Sequence, residues 1–143
     1  MTLTYRDSID GVDWEEMSAL YRAAPLGDKS AAHLRTVFSN SRHVCLAYDG
    51  ERLAGAGRVL ADGADCAYLC DLAVLPAHQG SGLGRALIER LLEPVRGYRK
   101  VILYAVPGKE PFYRRFGFRR MTTAMAIFPE PDAMRARGYL VDD

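Results

Sequence analysis

Residues 71–85 read Asp-Leu-Ala-Val-Leu-Pro-Ala-His-Gln-Gly-Ser-Gly-Leu-Gly-Arg, and their types and spacing suit the binding of a phosphate group. The apolar run from Tyr68 to Leu75 has the composition of a buried strand, and Pro76 stops it. Gly80, Gly82 and Gly84 then alternate, and Leu83, Leu87 and Leu91, with Ile88 and Leu92 offset, recur at helical spacing. The order is strand, glycine loop, helix. The first turn of a helix leaves backbone N–H groups without partners and carries partial positive charge, and glycines let a ligand approach them closely. Such a turn seats phosphate or pyrophosphate. A dinucleotide fingerprint needs a glycine where this chain has Arg85, and an acidic residue some twenty places on, where it has Val101 to Tyr104. A nucleoside-triphosphate loop needs Gly-Lys-Ser/Thr, which is absent. Asp71 is the second residue of chemical interest. A carboxylate inside an apolar strand is costly unless it is paired structurally or kept for function.

The elements that would position these residues can be read from pattern. Thr2 to Tyr5 alternates like a short strand, and residues 13–22 read as an amphipathic helix with Asp13 as a possible cap. Ala24-Pro25-Leu26-Gly27-Asp28 breaks that helix, and Ser30 to Phe38 reads as a second. His43 to Tyr48 and Arg52 to Leu60 are strands joined at Asp49-Gly50, a hairpin signal. Gly55 and Gly57 inside the second strand suggest a bulge or a close approach of another element. A turn at residues 62–65 leads into the strand before the glycine loop. After the helix, Glu93-Pro94 and Gly97 make a break, and Lys100 to Val106 reads as a buried strand parallel to its predecessor. Pro111 begins a short helix that Gly117 ends, Met121 to Phe128 reads as a last strand, and residues 129–143 form a polar tail with a possible short helix. The expected architecture is a mixed α/β (α+β) domain, with a mainly antiparallel sheet that opens at one parallel strand pair and helices flanking it.

At 143 residues the chain is long enough for one domain that buries roughly two thirds of its unfolded surface. A net charge of +1 gives no electrostatic case for nucleic acid or a membrane surface as the main partner. The start lacks a basic-then-apolar signal and no apolar run approaches a membrane span, so a soluble cytoplasmic domain is the default expectation. Cys45, Cys66 and Cys70 read as small core residues, and their spacing suggests neither a metal site nor a disulfide framework.

Gln79, Gly82 and Gly84 satisfy the pattern Gln-x-x-Gly-x-Gly after a strand ending Leu72-x-Val74-x-Pro76, and Pro111-Phe112-Tyr113-Arg114-Arg115-Phe116-Gly117-Phe118 follows downstream. Loop, strand and Phe-Tyr…Gly-Phe segment in this order resemble the acyl-CoA-binding motif and second signature of the GNAT superfamily of N-acetyltransferases. The resemblance covers nearly the whole chain and implies an acetyl-CoA-dependent transfer of an acetyl group to a primary amine of a small molecule or peptide. It implies that the pantetheine arm pairs with the backbone of Leu72, Ala73 and Val74, and that the pyrophosphate lies on Gln79, Gly80, Ser81, Gly82, Leu83, Gly84 and Arg85. Phe112 belongs to the same cosubstrate region. Ser81 stands where many relatives carry a basic residue, and is expected to lend its N–H and hydroxyl but no charge.

Tyr113 falls on the family's tyrosine that protonates the leaving thiolate. A phenol near ~10 stays protonated at neutral pH and can donate to a thiolate whose conjugate acid lies near ~8.5. Asp71 is a candidate base or amine-orienting group, with structural pairing as the competing role. Proton transfer from an alkylammonium to an unshifted aspartate is uphill by roughly 9 kcal/mol, so it would act through water or by electrostatics. The resemblance also places the first two helices at the acceptor pocket, making Trp14, Tyr21, Pro25, Leu26 and Phe38 candidates for specificity, or else plain core. Tyr68, Cys70 and Tyr104 are candidates for lining the channel. Arg114, Arg115, Arg119 and Arg120 could attract phosphates or simply be solvated. No metal is implied, and a homodimer is possible. The competing functional readings are an acyl-CoA-binding sensor without turnover and, weakened by Arg85, a nucleotide-dependent oxidoreductase.

Overall fold

Asp13 starts the first helix as its position suggests, with an extended backbone (φ −84°) and a side chain that accepts from the N–H groups of Glu15 and Glu16. Helix α1 spans Trp14–Ala23, and α2, capped by Ser30, spans Ala31–Ser39. The computed structural model describes residues 2–142 and divides into two units, one running to Leu103 and the other from Tyr104 onward.

The first unit holds a five-stranded sheet of β1 (Leu3–Arg6), β2 (His43–Asp49), β3 (Arg52–Ala61), β4 (Cys66–Val74) and β5 (Lys100–Ile102), in that spatial order. Every neighbouring pair is antiparallel except β4 and β5, which run parallel. This is the expected mixed sheet, with the parallel pair at its edge. The turn from β3 to β4 is held by Asp62, whose carboxylate accepts from the N–H groups of Ala64, Asp65 and Cys66.

One core cluster gathers Met17, Tyr21, Leu34 and Phe38 from the helices against Leu46, Leu53 and Leu75 from the sheet side. Helix α3 (Leu83–Leu92) also packs on the sheet, burying Leu83, Leu87, Ile88, Leu91 and Leu92, each worth about 1.5–3 kcal/mol of apolar burial. Gly57 permits that approach, since a Cβ there would lie 2.6 Å from Leu91 Cδ1.

The second unit contains two short helices, α4 (Glu110–Arg114) with Pro111 in its first turn, and α5 (Pro131–Ala136). Tyr104 meets Phe128 and Tyr139 edge-on, with centroids 6.1 and 5.8 Å away.

Two expected elements differ. The strand read over Lys100–Val106 is shorter, spanning Lys100–Ile102, where it pairs with Cys66–Tyr68 of β4. The strand read over Met121–Phe128 is absent. Residues 121–127 are all exposed, and residues 118–128 make no backbone hydrogen bond among the described residues. Alternating apolar character specifies a strand only when a neighbouring edge and a covered face exist to receive it.

Candidate functional site

β4 carries four of the expected site residues, Asp71, Leu72, Ala73 and Val74, and its pairing changes along its length. On the β5 side, the ladder ends at Tyr68, and among the described residues of the first unit no strand pairs with Leu72, Ala73 and Val74 there. On the β3 side, Ala56 pairs with Ala73 and Arg58 with Cys70, so Gly57 alone faces both Asp71 and Leu72. That is a bulge, and Asp71 takes the left-handed conformation it requires, with φ +56°. No other non-glycine among the described residues has positive φ. Leu72 to Val74 thus form a strand segment that β5 does not pair, chemically able to pair with an extended ligand.

The Asp71 side chain is held from two directions. Arg58 Nε donates to Oδ2 at 2.7 Å, and Lys29 Nζ lies 3.9 Å from Oδ1. Tyr21 donates its hydroxyl to the Asp71 carbonyl at 2.5 Å. Arg58 also reaches Ser41 Oγ at 3.3 Å, and Ser18 Oγ fixes the Lys29 carbonyl at 2.6 Å. Burial, helped by the Asp71 charge, pushes the Tyr21 phenol well above its ordinary value and keeps it a donor. Sequence reasoning singled out Asp71 but missed Arg58 and Lys29. The available signal was Arg58 itself, a cation inside the apolar run of β3 with a carboxylate in the next strand.

Past Val74, Leu75 N–H donates to Ala54 O at 2.8 Å, Pro76–His78 forms a single 3-10 turn, and the glycine loop begins. Gly82 is the N-cap of α3, with φ +90° and no side-chain cap. The first helical hydrogen bond within α3's opening turn runs from Ala86 N–H to Gly82 O at 3.1 Å. The N–H groups of Leu83, Gly84 and Arg85 precede it, so they point out of the helix end unpaired by its own carbonyls. With Gly80 (φ +81°) and Gly82 adding no side chains, these N–H groups at the end of β4 stay open to a ligand, and an anion is the chemistry they suit.

The polar side chains of the loop are engaged within the chain. Gln79 Nε2 donates to Val74 O at 3.1 Å and Ala24 O at 3.3 Å, tying the loop to β4 and α1. Ser81 donates both its N–H and its hydroxyl to His78 O, so the donors expected to face a ligand brace the loop. Arg85 Nε pairs with Glu89 at 3.0 Å on an exposed helix face. His78 is buried, with Nε2 3.6 Å from Asp49 and no partner for Nδ1.

Among the specificity candidates of the first unit, Tyr21 and Phe38 are core, with Trp14 and Leu26 packed against them, while Pro25 is exposed. Burial pushes the Cys70 thiol up to about 11, leaving it unreactive as a nucleophile at neutral pH. No cluster of metal-ligating side chains occurs among the described residues.

In the second unit, Tyr113 lies on α4 in an aromatic group with Phe112 (5.1 Å) and Phe118 (6.1 Å), while Phe112 also meets Phe116 (5.4 Å). Burial raises the Tyr113 phenol above its ordinary value of 10.0, so it holds its proton throughout the neutral range. Arg114, Arg119 and Arg120, with Gly117 and Phe118, line an open groove of about 370 Å³.

Residues 40–120 match the family model described as "Acetyltransferase (GNAT) domain". The chain is 32% identical over 140 residues to serotonin N-acetyltransferase 2, chloroplastic, of Oryza sativa subsp. japonica, covering 94% of this chain and 66% of that one. It is 28% identical over 117 residues to GCN5-related N-acetyltransferase 1, chloroplastic, of Arabidopsis thaliana, covering 79% and 59%. Both plant relatives are thus longer than this chain, which spans less than two thirds of each. A solved GNAT family acetyltransferase of Streptococcus pneumoniae superposes with a TM-score of 0.75 at 27% identity, over 90% of this chain and 100% of that one.

Proposed function

Because the chain belongs to the GNAT family of acetyltransferases, we propose that it moves the acetyl group of acetyl-CoA directly to a primary amine of a small molecule or peptide. The observation that carries this reading is the union, in one unit, of a β4 edge unpaired beyond Tyr68 with an α3 N-terminus capped only by Gly82. The first suits an extended amide chain, and the second suits a diphosphate. Both are what acetyl-CoA presents.

In this reading, Leu72, Ala73 and Val74 bind the pantetheine arm through backbone groups, and N–H groups beside the bulge polarise the thioester carbonyl. Leu83, Gly84 and Arg85 give backbone N–H groups to the diphosphate, Gly80 and Gly82 keep the approach open, and Gln79 and Ser81 hold the loop in shape. Phe112 anchors the aromatic group that carries Tyr113. The neutral amine attacks the carbonyl and a C–N bond forms; the C–S bond breaks as Tyr113 gives its proton to the departing thiolate, and the proton lost by the new amide nitrogen returns through water to the Tyr113 phenolate. An alkylammonium has an ordinary pKa of about 10.4, so its proton must first leave, through water. Asp71, already paired with Arg58, acts on that ammonium by attraction and orientation.

The test is thiol release from acetyl-CoA with an amine panel: arylalkylamines, amino sugars, and peptides bearing free N-termini or lysines. Arylalkylamines enter because the rice relative is named for serotonin. Thiol release dependent on one amine class supports the proposal. Acetyl-CoA binding without release from any amine would instead favour the sensor.

A further inference from the structure

We propose that His78 is a positioning residue for the diphosphate: its imidazole, seated against Asp49, holds the carbonyl to which Ser81, and with it the glycine loop, is fastened. The turn that carries His78 is anchored on both sides. Before it, Leu75 N–H donates to Ala54 O of β3 at 2.8 Å, and His78 N–H donates to Leu75 O at 2.9 Å. After it, the His78 carbonyl accepts both the N–H and the hydroxyl of Ser81, the residue before the α3 cap Gly82. Gly80 and Gly82, both at positive φ, stand between His78 and α3, and glycine loses more backbone freedom on ordering than any other residue. Where Ser81 sits therefore depends on where His78 sits.

The side chain is what keeps His78 in place. It is only 8% exposed, Nε2 lies 3.6 Å from Asp49 Oδ2, and Nδ1 is buried with no hydrogen-bond partner among the described residues. The Asp49 carboxylate likewise has His78 as its one side-chain partner among them. Asp49 closes β2, where Leu3 of β1 and Arg52 of β3 stand opposite it, so the sheet itself carries that carboxylate. For packing alone an imidazole is a poor choice here, because burying an unpaired ring nitrogen costs more than burying carbon. The one polar contact the ring makes runs from the turn before the loop to the sheet. Since this role rests on acetyl-CoA being the ligand, its effect falls on the proposed diphosphate seat, where the N–H groups of Leu83, Gly84 and Arg85 must act together. A loop ordered in advance spares the ligand that entropic cost on binding.

Two ligands read this role in the full chain: acetyl-CoA by calorimetric titration, and S-acetylpantetheine, which keeps the thioester arm but lacks the diphosphate, by competition. His78→Leu fills the buried space with carbon and should melt no lower than the unmodified chain, yet bind acetyl-CoA about tenfold more weakly. S-acetylpantetheine should bind His78→Leu as it binds the unmodified chain. His78→Gln sets an amide nitrogen near the place of Nε2 and should restore most of the acetyl-CoA affinity. Asp49→Ala should weaken acetyl-CoA as well, and adding it to His78→Leu should cost nothing further, because the two residues act as one pair. Unchanged acetyl-CoA affinity in folded His78→Leu overturns the proposal. An equal loss for S-acetylpantetheine, or full additivity with Asp49→Ala, overturns it too. If His78→Leu does not fold, Asp49→Ala decides by the same two ligands. An unmodified chain that ignores acetyl-CoA overturns this proposal together with the acetyl-CoA reading, whereas the variant outcomes overturn this one alone.

Discussion

Gly82→Val separates the backbone role of the loop from its binding role. Gly82 has φ +90°, and a Cβ built there meets no atom within 4 Å, so in the free protein the substitution costs strain and no clash. That strain is about 1–2 kcal/mol for an L residue, or about 3–8 °C in melting temperature for a chain of this size. The loss in affinity should be larger. A side chain in the seat denies the diphosphate at least two charge-assisted hydrogen bonds, at about 1.5–3 kcal/mol each, which is a weakening of 10²-fold or more. Gly11→Val is the control, because Gly11 has φ +73° and equally open surroundings but lies before α1. Thermal melts and calorimetric titration with acetyl-CoA should show both variants losing similar stability and only Gly82→Val losing affinity. Intact acetyl-CoA affinity in folded Gly82→Val would remove the diphosphate from this loop.

Tyr113→Phe should lower turnover about 10²–10³-fold with little change in acetyl-CoA binding; equal turnover in steady-state assays would take the phenol out of the mechanism. Since burial raises that phenol, any alkaline loss of rate due to Tyr113 should appear above pH 10.0 and not within the neutral range. Asp71→Asn strands Arg58, whose side chain is only 13% exposed, and should cost about 2–3 kcal/mol by urea unfolding, with Arg58→Met in the same background recovering part of it. Asp62 is held at about 2, below its ordinary 3.8, first by the Ala64 N–H and then by those of Asp65 and Cys66. Its stabilisation is therefore complete above pH 3.8 and lost as pH falls toward 2. Asp62→Ala should melt below the unmodified chain at pH 7, and the gap between them should close by about pH 2.

The parts of the fold legible in sequence are those governed by local chemistry. Asp13 caps its helix, Gly50 turns the hairpin with φ +61°, and Gly57 marks where α3 presses on the sheet. The glycine loop was legible for the same reason, since positive φ at Gly80 and Gly82 is a backbone demand that glycine meets. What escaped depends on partners distant in sequence. Lys29, in the loop before α2, reaches Asp71 only once the chain has folded, and the pairing of Arg58 with Asp71 is signalled by residue type in adjacent strands and not by the motif. The engagement of Gln79 and Ser81 within the chain is set by carbonyls that the motif does not contain. Met121–Phe128 has a strand's composition, but pairing is a property of two segments, which composition in one of them does not announce.

Asp71 binds these observations into one physical account. A non-glycine residue at φ +56° is strained by about 1–3 kcal/mol and persists only where its surroundings fix it. Here Arg58 grips the carboxylate and Tyr21 the carbonyl, so side chain and backbone of the same residue are both tied to the first unit's core. Gly57 faces the bulge without a side chain, and Leu91 of α3 fills the space that a Cβ there would need. α3, whose N-terminus is the proposed diphosphate seat, therefore packs through Leu91 on Gly57, the residue opposite the bulge that adjoins the β4 residues proposed to bind pantetheine. Loosening the bulge would shift the seat and the strand edge together, and a ligand that must engage both would detect the change at either end.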